Sequence, residues 1–428
     1  MINSQLLKTP SDSKFRVRVA HSGKQHAYRH ALAVERAGAL DLFITSGYFK
    51  AGQFPDRLAS RVPKIDRALR RRFQEGLPLE KVVRRWRYEL PELAARRTFG
   101  SGRLADSCVF RRDAQFDRWV ARRWVDDCDC YWGFQGSCLA SLTAARNHGI
   151  TAVAEFATAH VTRAIELLSR ESERHPEWAS TISNFSFPNW YLERLEVEPR
   201  AADYCIAASQ FTRDSLIEAG IVAERILLLP LGADLDQFRF VRRTADGPFR
   251  ILFVGGIGQR KGVKYLLEAF ELLRGSGVEL TLAGPLPADT RPLDAYRNSV
   301  RLTGRLDQAE IVREMHRAHV LVLPSVFEGF GLVIAEAMST GMPVIASTHS
   351  AGPDIIRDGR DGFVLEPDDV QGLAHRLETL RADRNRAVEM GMAAAERARA
   401  FSWDVHTERV KDILGLLASR RESAMVVS

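Results

Sequence analysis

Pro324-Ser325-Val326-Phe327-Glu328-Gly329-Phe330-Gly331-Leu332-Val333-Ile334-Ala335-Glu336-Ala337-Met338 follows directly on the apolar run 320–324. A wholly apolar run that stops at a glycine-rich turn and continues with helical spacing is the repeating unit of a parallel sheet covered on both faces. The spacing puts Glu328 in the turn and Glu336 about one turn into the helix, roughly 7 Å from its start at ~1.5 Å per residue. Helical side chains lean toward the N-terminus, so Glu336 points back at the turn. A carboxylate can accept both hydroxyls of a cis-diol such as a ribose, and Glu328 can hold a second polyhydroxyl group. Either glutamate alone reads as a cap or a surface acid. The pair framing Gly-Phe-Gly reads as a ligand site.

Outward from that stretch, short runs rich in Val, Ile, Leu and Ala recur at 15–20, 40–45, 130–133, 150–155, 203–208 and 226–230. A second series lies at 249–254, 278–283, 299–303, 320–324, 343–346 and 362–365, with amphipathic stretches of helical length between runs. Two doubly wound α/β domains are expected, 1–235 and 249–401. Residues 231–248, rich in turn formers, read as the linker. Residues 402–428 read as a final helix and tail, with Ser402 as N-cap and Asp404 in the first turn, crossing back to the first domain. Ligands bind such sheets at the carboxyl ends of the strands, here the loops after Ala20, Val254, Ala283 and Leu323.

The loop Val254-Gly255-Gly256-Ile257-Gly258-Gln259-Arg260-Lys261-Gly262 joins an apolar run to the helix that follows. Its glycines allow close approach of a ligand, and the helix N-terminus offers free N–H groups to an anion, with Arg260 and Lys261 beside them. It is neither GxxxxGK[ST] nor GxGxxG. A diphosphate suits this loop, and a plain tight turn would look similar.

Length and composition bound the rest. The 428 residues allow two or three domains, and 45% apolar with 27% charged residues excludes wholesale disorder. Five cysteines, odd in number and without CxxC spacing, exclude a disulfide framework or zinc ribbon and fit a reducing compartment. No apolar run approaches 18 residues, and residues 1–15 lack a signal-peptide core, so the chain reads as cytoplasmic. Net charge is +7, with nine lysines among 61 basic residues, and seventeen arginines fall between 57 and 123. Residues 56–102, without a strand-like run, read as an Arg-rich helical insertion. Its surface is either simply solvated or draws the chain to anionic lipid at the inner membrane face through Arg67, Arg70, Arg71, Arg84, Arg85 and Arg87, with Phe73, Trp86 and Tyr88 at the interface. No motif supports nucleic acid.

The Glu-x7-Glu element, with its G-F-G-L-x-x-x-E-A-M core, resembles the family 4 glycosyltransferases of the GT-B fold. Residues 196–211 (E-V-E-P-R-A-A-D-Y-C-I-A-A-S-Q-F), 229–238 (L-P-L-G-A-D-L-D-Q-F), 304–306 and 352–364 (G-P-D-I-I-R-D-G-R-D-G-F-V) are similar to further family blocks, in the family's order. The resemblance implies two Rossmann-like domains facing a cleft and a retaining transfer of a hexose from a nucleoside-diphosphate sugar to a glycan or lipid-linked acceptor, as in surface polysaccharide or glycolipid synthesis. It implies no cofactor and no bound metal. By position it makes Lys261, Glu328 and His160 catalytic: Lys261 on the diphosphate, Glu328 on the sugar, His160 beside the sugar. Arg260, Gly256, Gly329, Phe330, Gly331 and Glu336 would bind the donor, Glu336 through the ribose, and Gly23 would lie on the acceptor side. The family has an arginine where Gly256 stands, and Arg260 is the candidate replacement. It has a second glycine where Ser22 stands. A buried structural histidine is the alternative for His160. A nucleotide-sugar epimerase of the same fold, or a noncatalytic nucleotide-sugar-binding protein, is the alternative for the whole chain.

Overall fold

The computed structural model describes residues 15–24, 26–53, 56–59, 69–99, 102–182, 187–244, 246–273 and 277–427. The first sheet contains β1 (Val17–His21), β2 (Leu40–Thr45), β3 (Val82–Arg84), β4 (Cys130–Phe134), β5 (Thr151–Phe156), β6 (Tyr204–Ala207) and β7 (Ile226–Leu228), in the order β3-β2-β1-β4-β5-β6-β7. The second contains β8 (Phe249–Val254), β9 (Val278–Ala283), β10 (Val300–Gly304), β11 (Val320–Leu323), β12 (Val344–Ser347) and β13 (Gly362–Leu365), in the order β10-β9-β8-β11-β12-β13. Pairing is parallel, as in β8 with β9 from Phe249↔Val278 to Val254↔Ala283. Continuously apolar strands suit this arrangement because helices cover both faces, and all four residues of β11 and of β12 are buried.

All twelve expected runs are strands, to within two residues at either end. β3 is the thirteenth, and it corrects the reading of 56–102 as wholly helical: Val82–Arg84 pairs in parallel with Phe43–Thr45 at the sheet edge. Three residues running into Arg84-Arg85 are too short and too charged to show as an apolar run, yet an edge strand needs a partner on one side only.

Two compact units divide the chain: 1–153 with 201–203 and 410–428, and 154–200 with 204–409. In the first unit, much of the arginine charge is engaged internally. Arg84 pairs with Asp56, which is fully buried and also accepts the Lys50 N–H at 2.6 Å. Arg72 pairs with Glu89, while Arg112 pairs with Glu92 and with Asp113 at 2.9 Å. Arg70, Arg85 and Arg87 lie over the rings of Phe49, Trp119 and Tyr88. Trp86 and Tyr88 are buried rather than presented outward, and Phe73 is exposed. Arg61 and Arg67 lie outside the described residues.

In the second unit, the described residues of 231–248 carry no helix or strand but are anchored. Leu231, Ala233 and Phe238 are buried in its core, and the Ala233 N–H donates to the Phe401 carbonyl at 2.7 Å. The Ser402 hydroxyl accepts the Val405 N–H at 3.2 Å at the head of the last helix. Farther along that helix, within the first unit, Arg421 donates to the carbonyls of Asp129 and Gly149 at 3.0 and 2.8 Å. Among the described residues no helix is long and apolar enough to cross a membrane.

Candidate active site

Strand order in the second sheet reverses between β8 and β11. The chains leaving those two strands diverge to opposite faces and open a crevice, the usual ligand position in an open α/β sheet. Both loops singled out from sequence lead into it. After β8, 255–258 lead into a single 3-10 turn, Gln259–Lys261, and then the helix Val263–Leu272. Gly262 between them has φ +69°, and a Cβ there would overlap the Pro324 carbonyl, so only glycine lets the two loops close on each other.

Those loops are laced by backbone. The N–H groups of Val326 and Phe327 donate to the Arg260 carbonyl at 3.1 and 3.2 Å, and the Arg260 guanidinium donates to the Phe327 carbonyl at 3.0 Å. Lys261 forms an ion pair with Glu328, whose carboxylate also lies 3.7 Å from Arg260. The Glu328 N–H donates to the His349 carbonyl at 3.0 Å, and His349 Nδ1 bonds the Val326 carbonyl at 2.9 Å. Phe211 stacks on the His349 ring, with 5.1 Å between centroids. Gly329 abuts Ala157 and Thr158 so closely that a Cβ would overlap the Ala157 carbonyl, and its own carbonyl accepts the Ser209 hydroxyl at 2.6 Å. Gly331 turns at φ +79°, and Phe330 is buried, with its carbonyl accepting the Ala351 N–H at 3.1 Å. Gly256 is different: nothing lies within 4 Å of a Cβ placed there.

Burial, then the Arg260 charge, pulls the Lys261 ammonium down to about 7. The ion pair with Glu328 opposes that shift. Burial also lowers the Arg260 guanidinium. Glu336 is pushed up to about 7, first by burial and then by the Asp234 carboxylate. Its position corrects the expected depth: the helix is Val333–Ser339, which places Glu336 in the first turn rather than one turn in. The glycine-rich turn simply runs two residues farther than its sequence suggests.

His160 caps the helix Val161–Arg174: Nδ1 accepts the Thr162 N–H at 3.4 Å, and the His160 N–H donates to Ser215 Oγ at 2.8 Å. Burial, then the Arg200 charge, lowers its pKa. Gly23 follows β1 in the first unit, where its N–H donates to His21 Nδ1 at 2.8 Å.

Sequence reasoning missed the support under the lysine loop. Gln259, fully buried, donates to Glu171 Oε1 at 2.5 Å, accepts the Lys264 N–H at 2.9 Å and donates its own N–H to Thr181 Oγ1 at 3.0 Å. The Tyr265 hydroxyl donates to the same Glu171 oxygen at 2.7 Å, and His175 Nε2 lies 3.1 Å from that hydroxyl. With Glu171 and Gln259 88 positions apart, no local pattern signals the contact. Asp234, beside Glu336, was visible only as one residue of a quoted block.

Residues 248–383 match the family model described as glycosyl transferases group 1. This region is a group 1 glycosyltransferase domain. It contains Arg260, Lys261, Glu328 and Glu336. The chain is 31% identical over 246 residues to sulfoquinovosyl transferase SQD2 of Arabidopsis thaliana, covering 54% of this chain and 48% of that protein. It is 29% identical over 269 residues to a glycogen synthase of Mycobacterium tuberculosis, covering 60% and 63%. It thus spans about half to under two thirds of these relatives. Anabaena Alr3699/HepE, solved with UDP and glucose, superposes with TM-score 0.61 at 17% identity over 94% of this chain and 99% of that one. Sucrose-phosphate synthase of Thermosynechococcus elongatus gives 0.62 at 18% identity over 95% and 100%. With its two parallel sheets, the chain around the group 1 glycosyltransferase domain has the GT-B fold.

Proposed function

We propose that this chain is a retaining glycosyltransferase, of family 4 type, that moves a hexose from a nucleoside-diphosphate sugar to a glycan or lipid-linked acceptor in polysaccharide or glycolipid synthesis. The observation that carries the proposal is the Lys261–Glu328 ion pair at the β8/β11 reversal of a group 1 glycosyltransferase domain, with Glu336 one loop away. Breaking a glycosyl–phosphate bond builds negative charge on the departing diphosphate. Lys261 and Arg260, on the loop that leads into the helix Val263–Leu272, are the charges that meet it.

Glu328 engages the lysine in an ion pair. A diphosphate competes for the same ammonium, so donor binding draws Lys261 from Glu328 and releases that carboxylate to accept sugar hydroxyls. The anion also favours the protonated lysine, overcoming the depression that burial imposes. Glu336 accepts the ribose hydroxyls. His160, engaged as a cap, acts by seating the 157–160 loop against Gly329. No cofactor or metal enters this scheme. The chain works in the cytoplasm, and the acceptor brings any contact with a membrane.

Thermal stabilisation by a panel of UDP- and GDP-sugars, followed by product analysis, tests the proposal. Stabilisation with slow donor hydrolysis and sugar transfer is expected. Donor isomerisation supports the epimerase instead, and binding without any turnover supports a noncatalytic role.

A further inference from the structure

Within the second unit, three consecutive residues at the head of the helix Gln210–Glu218 hold the segments that follow β11 and β12. Ser209, fully buried, caps that helix and donates to the Gly329 carbonyl at 2.6 Å. The Gln210 N–H donates to the two oxygens of the Asp354 carboxylate at 3.2 and 3.1 Å. Phe211 stacks on His349 with 15° between the ring planes. These residues close one of the blocks quoted from sequence, 196–211, and the donor scheme above gives them no part.

The loop that carries His349 is braced by its own hydrogen bonds. The Thr348 N–H donates to the Leu365 carbonyl of β13 at 2.9 Å, the Ser350 hydroxyl to the Ser347 carbonyl at 2.7 Å, and the Gly352 N–H to Ser350 Oγ at 3.0 Å. From that support His349 takes the turn bearing Glu328 at two points. Its carbonyl accepts the Glu328 N–H at 3.0 Å, and its Nδ1 bonds the Val326 carbonyl at 2.9 Å. A carbonyl oxygen only accepts, so Nδ1 carries a proton, in the neutral ring and the charged ring alike. The Val326 N–H bonds the Arg260 carbonyl, so His349 closes the other side of the same residue. The backbone is thus pinned before Glu328 by His349 and after it, at Gly329, by Ser209.

We propose that His349 is a positioning residue for Glu328: its Nδ1–H and its ring, seated by Phe211, set the turn so that the Glu328 carboxylate meets Lys261. Two flexible side chains make an effective ion pair only where their geometry is fixed. The grip stands on the hydrogen bonds of this turn; that it bears on sugar transfer rests on the function proposed above.

Hydrogen exchange of the 326–328 amides tests the grip without any substrate. His349→Phe keeps a ring for Phe211 but has no donor, and those amides should exchange about fivefold faster, the worth of one hydrogen bond. Amides of the helix Arg384–Ala398 should not change, whereas a general loss of stability would quicken both. His349→Asn loses the stack, keeps a donor near the Nδ1 position and should restore most of the protection. If His349→Phe does not fold, His349→Ala carries the same expectations. With a UDP- or GDP-sugar that the parent chain turns over, His349→Phe should lower kcat by a similar factor while KM for the donor holds. It should cost nothing further once Glu328→Gln is in place. Unchanged exchange at 326–328, unchanged kcat in a chain that turns donor over, or a kcat loss that persists in full on Glu328→Gln overturns the proposal. Faster exchange in a chain that neither binds nor cleaves any UDP- or GDP-sugar leaves the grip standing and removes the transferase reading alone.

Discussion

The crevice at β8 and β11 and the crevice at β1 and β4 occupy equivalent places in two similar sheets, but their charges are arranged in opposite ways. In the second sheet, two basic residues and one acid come from two loops that are each continuous in sequence, and Lys261 and Glu328 face each other directly. In the first, Ser22, Ser46, Arg72, Glu89 and Arg112 come from five separate segments, and the acids lie buried beneath the cations. The charges of one crevice meet across two loops. Most charges of the other, among the described residues, are scaffold.

The largest effect should come from the scaffold. Arg84→Ala leaves Asp56 buried and without its guanidinium, and breaking a buried pair from one side costs about 3–5 kcal/mol. Urea unfolding should show a lowered midpoint, with UDP affinity of the folded fraction retained. A midpoint unchanged from the parent chain would mean that these arginines are surface charge after all.

Lys261→Ala should do the reverse. Turnover should drop about 10²–10³-fold, the worth of one fixed donor to a developing anion, with little change in stability or in affinity for a nucleoside lacking phosphates. If Arg260→Ala abolishes turnover while Lys261→Ala spares it, the roles of the two neighbours are exchanged.

Next comes Glu336, the proposed ribose contact. Glu336→Ala should weaken UDP or GDP binding by about 1.5–3 kcal/mol, read by calorimetry. Unchanged affinity removes Glu336 from the donor site. Below it stands the Glu171 support: Glu171→Gln keeps the shape but exchanges a charged acceptor for a neutral one under Gln259 and Tyr265, about 1 kcal/mol. kcat should fall while KM for the donor holds. A change in neither would make the cluster a matter of packing only.

How much of this could be read beforehand follows from where contacts lie along the chain. Both loops of the β8/β11 crevice, 254–262 and 324–338, were legible because glycine, lysine and glutamate sit within a few residues of each other and of an apolar run. Glu336 was placed about two residues too deep because glycine-rich turns do not announce where helical hydrogen bonding begins. β3 was missed because its three residues draw their order from β2 rather than from their own composition. The Arg-rich stretch read as one uniform basic surface, since nothing local distinguishes Arg84, which meets Asp56, from Arg71, which meets no acid among the described residues. Partner identity, not residue type, separates the two, and partners are set by tertiary structure.

The smallest expected effect is the pH dependence that Glu336 confers on the empty chain. Its carboxyl titrates at about 7 when folded against 4.5 ordinarily, because burial and Asp234 disfavour the anion. Between those values the folded chain keeps a proton that the unfolded chain has released, so stability falls as pH rises through the window. The contribution is present in full below 4.5 and gone above 7. The ceiling is ~3 kcal/mol at 1.36 per pH unit, and partial exposure of the side chain reduces it to about 1 kcal/mol. Glu336→Gln carries no charge at any pH and removes the slope. Without nucleotide, the variant's stability relative to the parent should therefore rise from pH 5 to pH 8 and level off there. With UDP present the advantage should vanish or invert, since the same substitution weakens the ribose contact. A relative stability that is flat across that range would mean that Glu336 is ionised throughout, with its charge solvated rather than held against Asp234.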